Sequence, residues 1–75
     1  MLRIFMAPVT VPGRLTLQAD RANWLALQRL LLLSDQPAHD ELDILLKQHP
    51  DDGIIRLTMD DARARMLLGI AGLSA

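Results

Sequence analysis

The chain contains no cysteine and no tyrosine, and Phe5 and Trp24 are its only aromatic residues. The first absence removes disulfides and the commonest zinc ligands as sources of stability. The scarcity of aromatics means an aliphatic core and leaves no set of rings on which nucleic-acid bases could stack. Long apolar runs are missing too: Gln28 and Arg29 interrupt the richest stretch, LALQRLLLLSD, well short of the roughly 20 residues that cross a bilayer. The opening MLRIFMAPVTVPG has one arginine followed by a short apolar segment, below the roughly 7 to 15 residues of a secretory signal core. No membrane association and a cytoplasmic location are therefore expected.

What is present is a globular composition, 51% hydrophobic over 75 residues. Residues 1–75 are expected to form one domain. A core of that size yields little net stability, so dense apolar packing or self-association must supply what disulfides do not. The net charge of −1 hides an asymmetry, with residues 1–34 at +3 and residues 35–75 at −4. That division suits docking between copies or onto a charged partner, although salt screens exposed charges beyond about 8 Å.

Leu2, Ile4 and Met6 alternate with Arg3, Phe5 and Ala7, which predicts a strand whose pairing Pro8 limits. Pro12-Gly13 supplies a turn, because proline presets φ at its second position and glycine accepts positive φ at its third. Arg14 to Thr16 then return. Thr16 is expected to cap a helix over about residues 17 to 33. Ser34 to Pro37 break it, and Pro37 suits the first turn of a second helix reaching Lys47 or Gln48, which His49-Pro50 ends. Asp51-Asp52-Gly53 forms a turn, and residues 54 to 57 read as a short buried strand. Thr58 opens a last helix, with Asp60 and Asp61 at its start and Met59, Ala62, Met66, Ile70 and Leu73 along one face. In that helix Gly69 and Gly72 imply either fraying or the close approach of another backbone. Arg14-Leu15-Thr16-Leu17 and Arg56-Leu57-Thr58-Met59 echo one another, but four positions are too few for a duplication, and the two read as similar strand-to-helix junctions.

Residue types that carry chemistry occur without the spacing chemistry needs. Ser34, His39 and Asp40 contain the members of a hydrolytic triad, yet no glycine adjoins Ser34 and all three lie across one helix start. His39 and Asp43 stand one turn apart, a two-point grip where a metal needs three or four ligands. An acidic solvated face with Asp43 and Lys47 as an i, i+4 pair explains them instead. Asp51-Asp52 and Asp60-Asp61 lack the glycine and glutamate of a calcium loop. No catalytic residue, cofactor or metal is expected. The first two helices superficially resemble a helix-turn-helix, but the second, AHDELDILLKQ, carries three acids and one lysine, which phosphate would repel. Arg3 and Arg14 on the hairpin keep nucleic acid as a disfavoured alternative partner, through a small DNA-binding regulator.

At about 100° per residue, Trp24, Leu27, Leu30, Leu31, Ala26 and Leu33 make one broad face of the first helix. Leu25 and Leu32 form a second, narrow ridge on the other side, flanked by Gln28 and Arg29. Two exposed leucines forgo roughly 1.5 to 3 kcal/mol each, so something should cover them: the rest of the domain, a second copy, or another protein. Arg63 intrudes on the apolar face of the last helix, either snorkelling past the helix end or pairing with an acid on a partner. The expected fold is a small α+β domain in which an N-terminal β-hairpin and one short strand form a sheet packed on one side by three helices. The expected function is a non-enzymatic protein-protein interaction module, an adaptor or inhibitor of a larger machine, acting as a homodimer. Its interface residues are Leu25, Gln28, Arg29, Leu32 and Arg63.

Overall fold

The computed structural model describes residues 2–49 and 53–73. Pro50, the proline expected to stop the second helix, and Asp51 and Asp52 of the expected acidic turn lie outside them. The elements run β1 (Phe5–Val11), β2 (Arg14–Asp20), α1 (Arg21–Ser34), α2 (Gln36–Lys47), β3 (Ile54–Asp60) and α3 (Asp61–Leu73). Together they make an α+β domain with a three-stranded antiparallel sheet in the order β1-β2-β3.

The hairpin forms as its turn residues dictate. Val11 pairs with Arg14, and Gly13 between them holds φ at +76°, a conformation that costs glycine nothing. Farther along, the β1-β2 register shifts between Met6 and Thr10. Pro8 lies inside that interval and has no N–H to give a ladder.

Both remaining strands are longer than expected. β2 continues four residues past Thr16, and β3 continues three past Leu57, so neither Thr16 nor Thr58 caps a helix. Alternation explains the correction. Leu15, Leu17 and Ala19 face one way and meet Met59, Leu57 and Ile55 across the ladder, and this mutual burial outweighs the local preference for a helix. The echo between RLTL and RLTM is thus a pair of neighbouring strands. Thr16 stands opposite Thr58 with their hydroxyls 2.8 Å apart.

Asp20 takes the capping role instead, its carboxylate accepting from the Asn23 backbone N–H at 2.8 Å and from Asn23 Nδ2 at 2.7 Å. Asp35 serves two helices. Its backbone N–H donates to Leu31 O at 2.8 Å, closing α1, and its carboxylate accepts from the Ala38 N–H at 3.2 Å, opening α2 with Pro37 in the first turn. Arg21 donates to the carbonyl of His49, tying the start of α1 to the chain beyond α2.

The core lies between one face of the sheet and the helices. Leu17, Ala19, Ile55, Leu57 and Met59 come from the sheet, Trp24, Leu27 and Leu31 from α1, Ala38, Leu42 and Leu46 from α2, and Ala64, Leu67 and Ala71 from α3. α3 buries a different face from the one expected: Ala62 is exposed and Met66 and Ile70 are only partly covered. The helix begins at Asp61 rather than at Thr58, and the alanines at 64 and 71 set small side chains against the sheet. Among the described residues, nothing outside the helix's own neighbouring backbone lies within 4 Å of where a Cβ would stand at Gly69 or Gly72, so no close approach of another described backbone explains them. Gly69→Ala is expected to raise stability by up to about 1 kcal/mol, read as a higher urea midpoint. A loss of stability would show that these glycines are needed for packing.

Candidate functional site

The outer side of α1 is where the sequence left its question, and the helix sits there differently from the expectation. Its buried residues are Trp24, Leu27, Gln28 and Leu31. Gln28 turns inward because a partner on α2 satisfies it: Nε2 donates to Asp43 Oδ1 at 3.0 Å. A polar side chain thus occupies the seam between the two helices. Buried polar groups of this kind persist only when they are paired.

With α1 rotated towards Gln28, half of the broad leucine face points outward. Leu30 and Leu33, assigned to the core, are 40% and 95% exposed. Leu25 and Leu32 are 44% and 50% exposed, so the rest of the domain does not bury them. Among the described residues the sheet, α2 and α3 pack against α1, and none of them covers these leucines. Ala22 and Arg29 are exposed on the same outer face, and Ile44 is exposed on α2.

Four of the five residues singled out from sequence come together. Leu25, Gln28, Arg29 and Leu32 line a shallow groove of about 250 Å³, completed by His39 from the first turns of α2. The fifth does not join them. Arg63 lies on α3 and donates from Nη1 to Glu41 Oε2 of the same chain at 2.8 Å, so its acid is intramolecular. Leu30, Leu33 and His39 were not identified as surface residues of this site. Helical angle alone puts the first two on the core face, whereas the burial of Gln28 and its bond to Asp43, fifteen residues away, show the true rotation.

The residues that suggested chemistry are engaged locally. Ser34 Oγ donates to Leu30 O at 2.8 Å, and His39 Nδ1 lies 3.0 Å from Asp40 Oδ1. Asp43 holds Gln28 on one oxygen and Lys47 Nζ on the other, the latter at 2.8 Å. Those bonds, Lys47 first, lower its pKa below the usual carboxylate value, and Asp43 in turn raises that of Lys47. The Asn23 backbone N–H, followed by its side chain, lowers Asp20 in the same way.

A carboxyl held down in the folded state stabilises it fully above its unfolded pKa and loses that contribution as pH falls through the folded value. The thermal midpoint is therefore expected to hold steady from neutral pH to the usual carboxylate range and to fall below it. In Asp43→Asn the acid-side fall should be shallower; an identical acid profile would remove this pairing from the account.

Among the described residues no group of three or more His, Asp or Glu is placed to hold a metal ion, and no helix is long and apolar enough to cross a membrane. Asp60 lies 4.0 Å from Arg14 and Asp61 2.8 Å from Arg65. Asp51 and Asp52, the other two aspartates of that acidic set, are outside the described residues.

The site and fold define a small α+β domain that presents an apolar helix face with one charge on it. Comparison with protein families, with curated proteins and with solved structures finds no significant match to the chain.

Proposed function

We propose that the chain is a non-enzymatic protein-protein interaction module, a small cytoplasmic adaptor or inhibitor of a larger protein, and that it works as a homodimer. The observation that carries the reading is the outer face of α1. Leu25, Leu30, Leu32 and Leu33 are all at least 40% exposed there, and Arg29 is the one charge among them. Single exposed leucines are ordinary, but four on one helix face are the apolar centre of an interface with a polar rim. Gln28 fixes the rotation that presents them, and His39 closes the groove along α2.

A nucleic-acid partner fits the molecule less well. The open face of the sheet carries Arg14 and Arg56, but Asp20 and Asp60 share that face, and α2 exposes Asp40 and Glu41. Binding to random duplex DNA at low salt is expected to be undetectable, and a strong, salt-sensitive affinity would favour the regulator instead. Sedimentation of the wild type at micromolar concentration tests the dimer. Twice the 8.4 kDa chain mass is expected, and a monomer across that range refutes it.

A further inference from the structure

The sheet has two edges, and they are protected unequally. β1 contains Pro8 and the register shift between Met6 and Thr10, two devices that discourage a further strand from joining. β3 has neither. Its seven residues, IIRLTMD, pair with β2 without a break from Ile54–Asp20 to Asp60–Arg14.

The direction of its backbone groups follows from the ladder. Asp61 N–H donates to Gly13 O at 3.2 Å, and in an antiparallel pair every second residue turns its N–H and C=O to the same neighbour. Ile55, Leu57 and Met59 therefore bond towards β2, while Ile54, Arg56, Thr58 and Asp60 present theirs at the free edge. The side chains of those four are exposed as well.

We propose that this edge pairs antiparallel with β3 of a second copy, joining the two sheets into one of six strands. The inference rests on the homodimeric reading above and assigns the copy-to-copy contact to β3, leaving both α1 faces for another protein. Charge complementarity selects the occupant. Outward-bonding residues must face one another across the new ladder, and a two-fold axis at Thr58 sets Arg56 opposite the second copy's Asp60 at both ends. Thr58 then meets its own equivalent, and Leu57 meets Met59.

Moving the axis to Leu57 puts Arg56 against Thr58 and Asp60 against Ile54, which forfeits both charge pairs. A parallel arrangement in register stacks like on like. Opposite charges directly across an antiparallel pair stabilise it, and like charges oppose it. Among the described residues, Arg56 is held through Nε to Gln18 Oε1 at 3.2 Å, and Asp60 by the 4.0 Å approach of Arg14. Both are exposed and keep atoms free for a second partner. Such a contact uses the same patch on each copy and closes as a two-fold dimer. One dimer would then display two α1 faces, giving a bivalent partner avidity without any new contact.

Sedimentation velocity on Arg56→Asp, on Asp60→Arg and on the double exchange tests this. Each single variant is expected to weaken the dimer about tenfold or more, and the exchange should restore it to within about threefold of wild type. Unchanged dimer affinity in both single variants, or no recovery in the exchange, overturns the inference. Amide hydrogen exchange on the unaltered protein gives a second reading. The Arg56, Thr58 and Asp60 amides should gain protection as concentration rises through the dimer range. A dimer with those amides unprotected overturns the β3 assignment alone, whereas a wild type that stays monomeric overturns the homodimer with it.

Discussion

Trp24→Ala is expected to remove about 3 to 5 kcal/mol of stability, a large share of what the domain has. A domain of this length has a total stability of about 4 to 11 kcal/mol at typical values per residue, and removing a fully buried tryptophan costs about 3 to 5 kcal/mol. Trp24 has no exposed surface, and its Nε1 donates to Ile55 O at 3.1 Å, so one side chain joins α1 to the start of β3. No disulfide offsets its loss. Trp24→Phe separates the two contributions, since it keeps a ring but removes the donor, at about 1 to 3 kcal/mol. Urea unfolding followed by far-ultraviolet circular dichroism measures both. A Trp24→Ala protein unfolding within 1 kcal/mol of wild type, on the scale of that buried-residue cost, would contradict the core as described.

Leu25→Glu combined with Leu32→Glu is expected to have the opposite profile, with the fold kept and the partner lost. Each side chain is about half exposed, so its replacement forfeits only part of a leucine's burial, on the order of 1 kcal/mol each at most. Against a partner the loss is larger, because two carboxylates would be desolvated at the centre of the contact. Two central positions together commonly cost a hundredfold or more, about 3 kcal/mol. Recovery of a given partner on wild-type and variant bait, with matched unfolding curves, measures the separation. Equal recovery by both would remove α1 from the interface. Because the β3 edge is distinct from this face, the double variant should remain a dimer.

Local chemistry was the most legible part of the fold. Gly13 and Pro37 sit where their backbone preferences place them, and the α+β class follows from the β-like segments and the leucine-rich helix. Thr16 illustrates where that reasoning ends. The alternation of Leu15, Leu17 and Ala19 was present, but the same residues also fit a helix, and only their burial against Met59, Leu57 and Ile55 decides between them.

Gln28 illustrates the same limit for the site. Leu25 and Leu32 were separable from the core by angle alone, because they lie far from Trp24. The outward turn of Leu30 and Leu33 was not, because it depends on Asp43, a partner supplied by a different helix. Arg63 was recognised as a charge needing an acid, but sequence spacing gave no indication that Glu41 was the acid.

The central claim is that the leucine face of α1 meets another protein. The most direct test places a photoreactive side chain at Leu33, 95% exposed and at the middle of no internal packing, and at Lys47 as a control on α2. After irradiation in cells that naturally make the protein, the account predicts a discrete heterologous adduct from position 33 that Leu25→Glu with Leu32→Glu abolishes and that position 47 does not give. The same faint adducts from both positions, or adducts indifferent to the two glutamates, would contradict it.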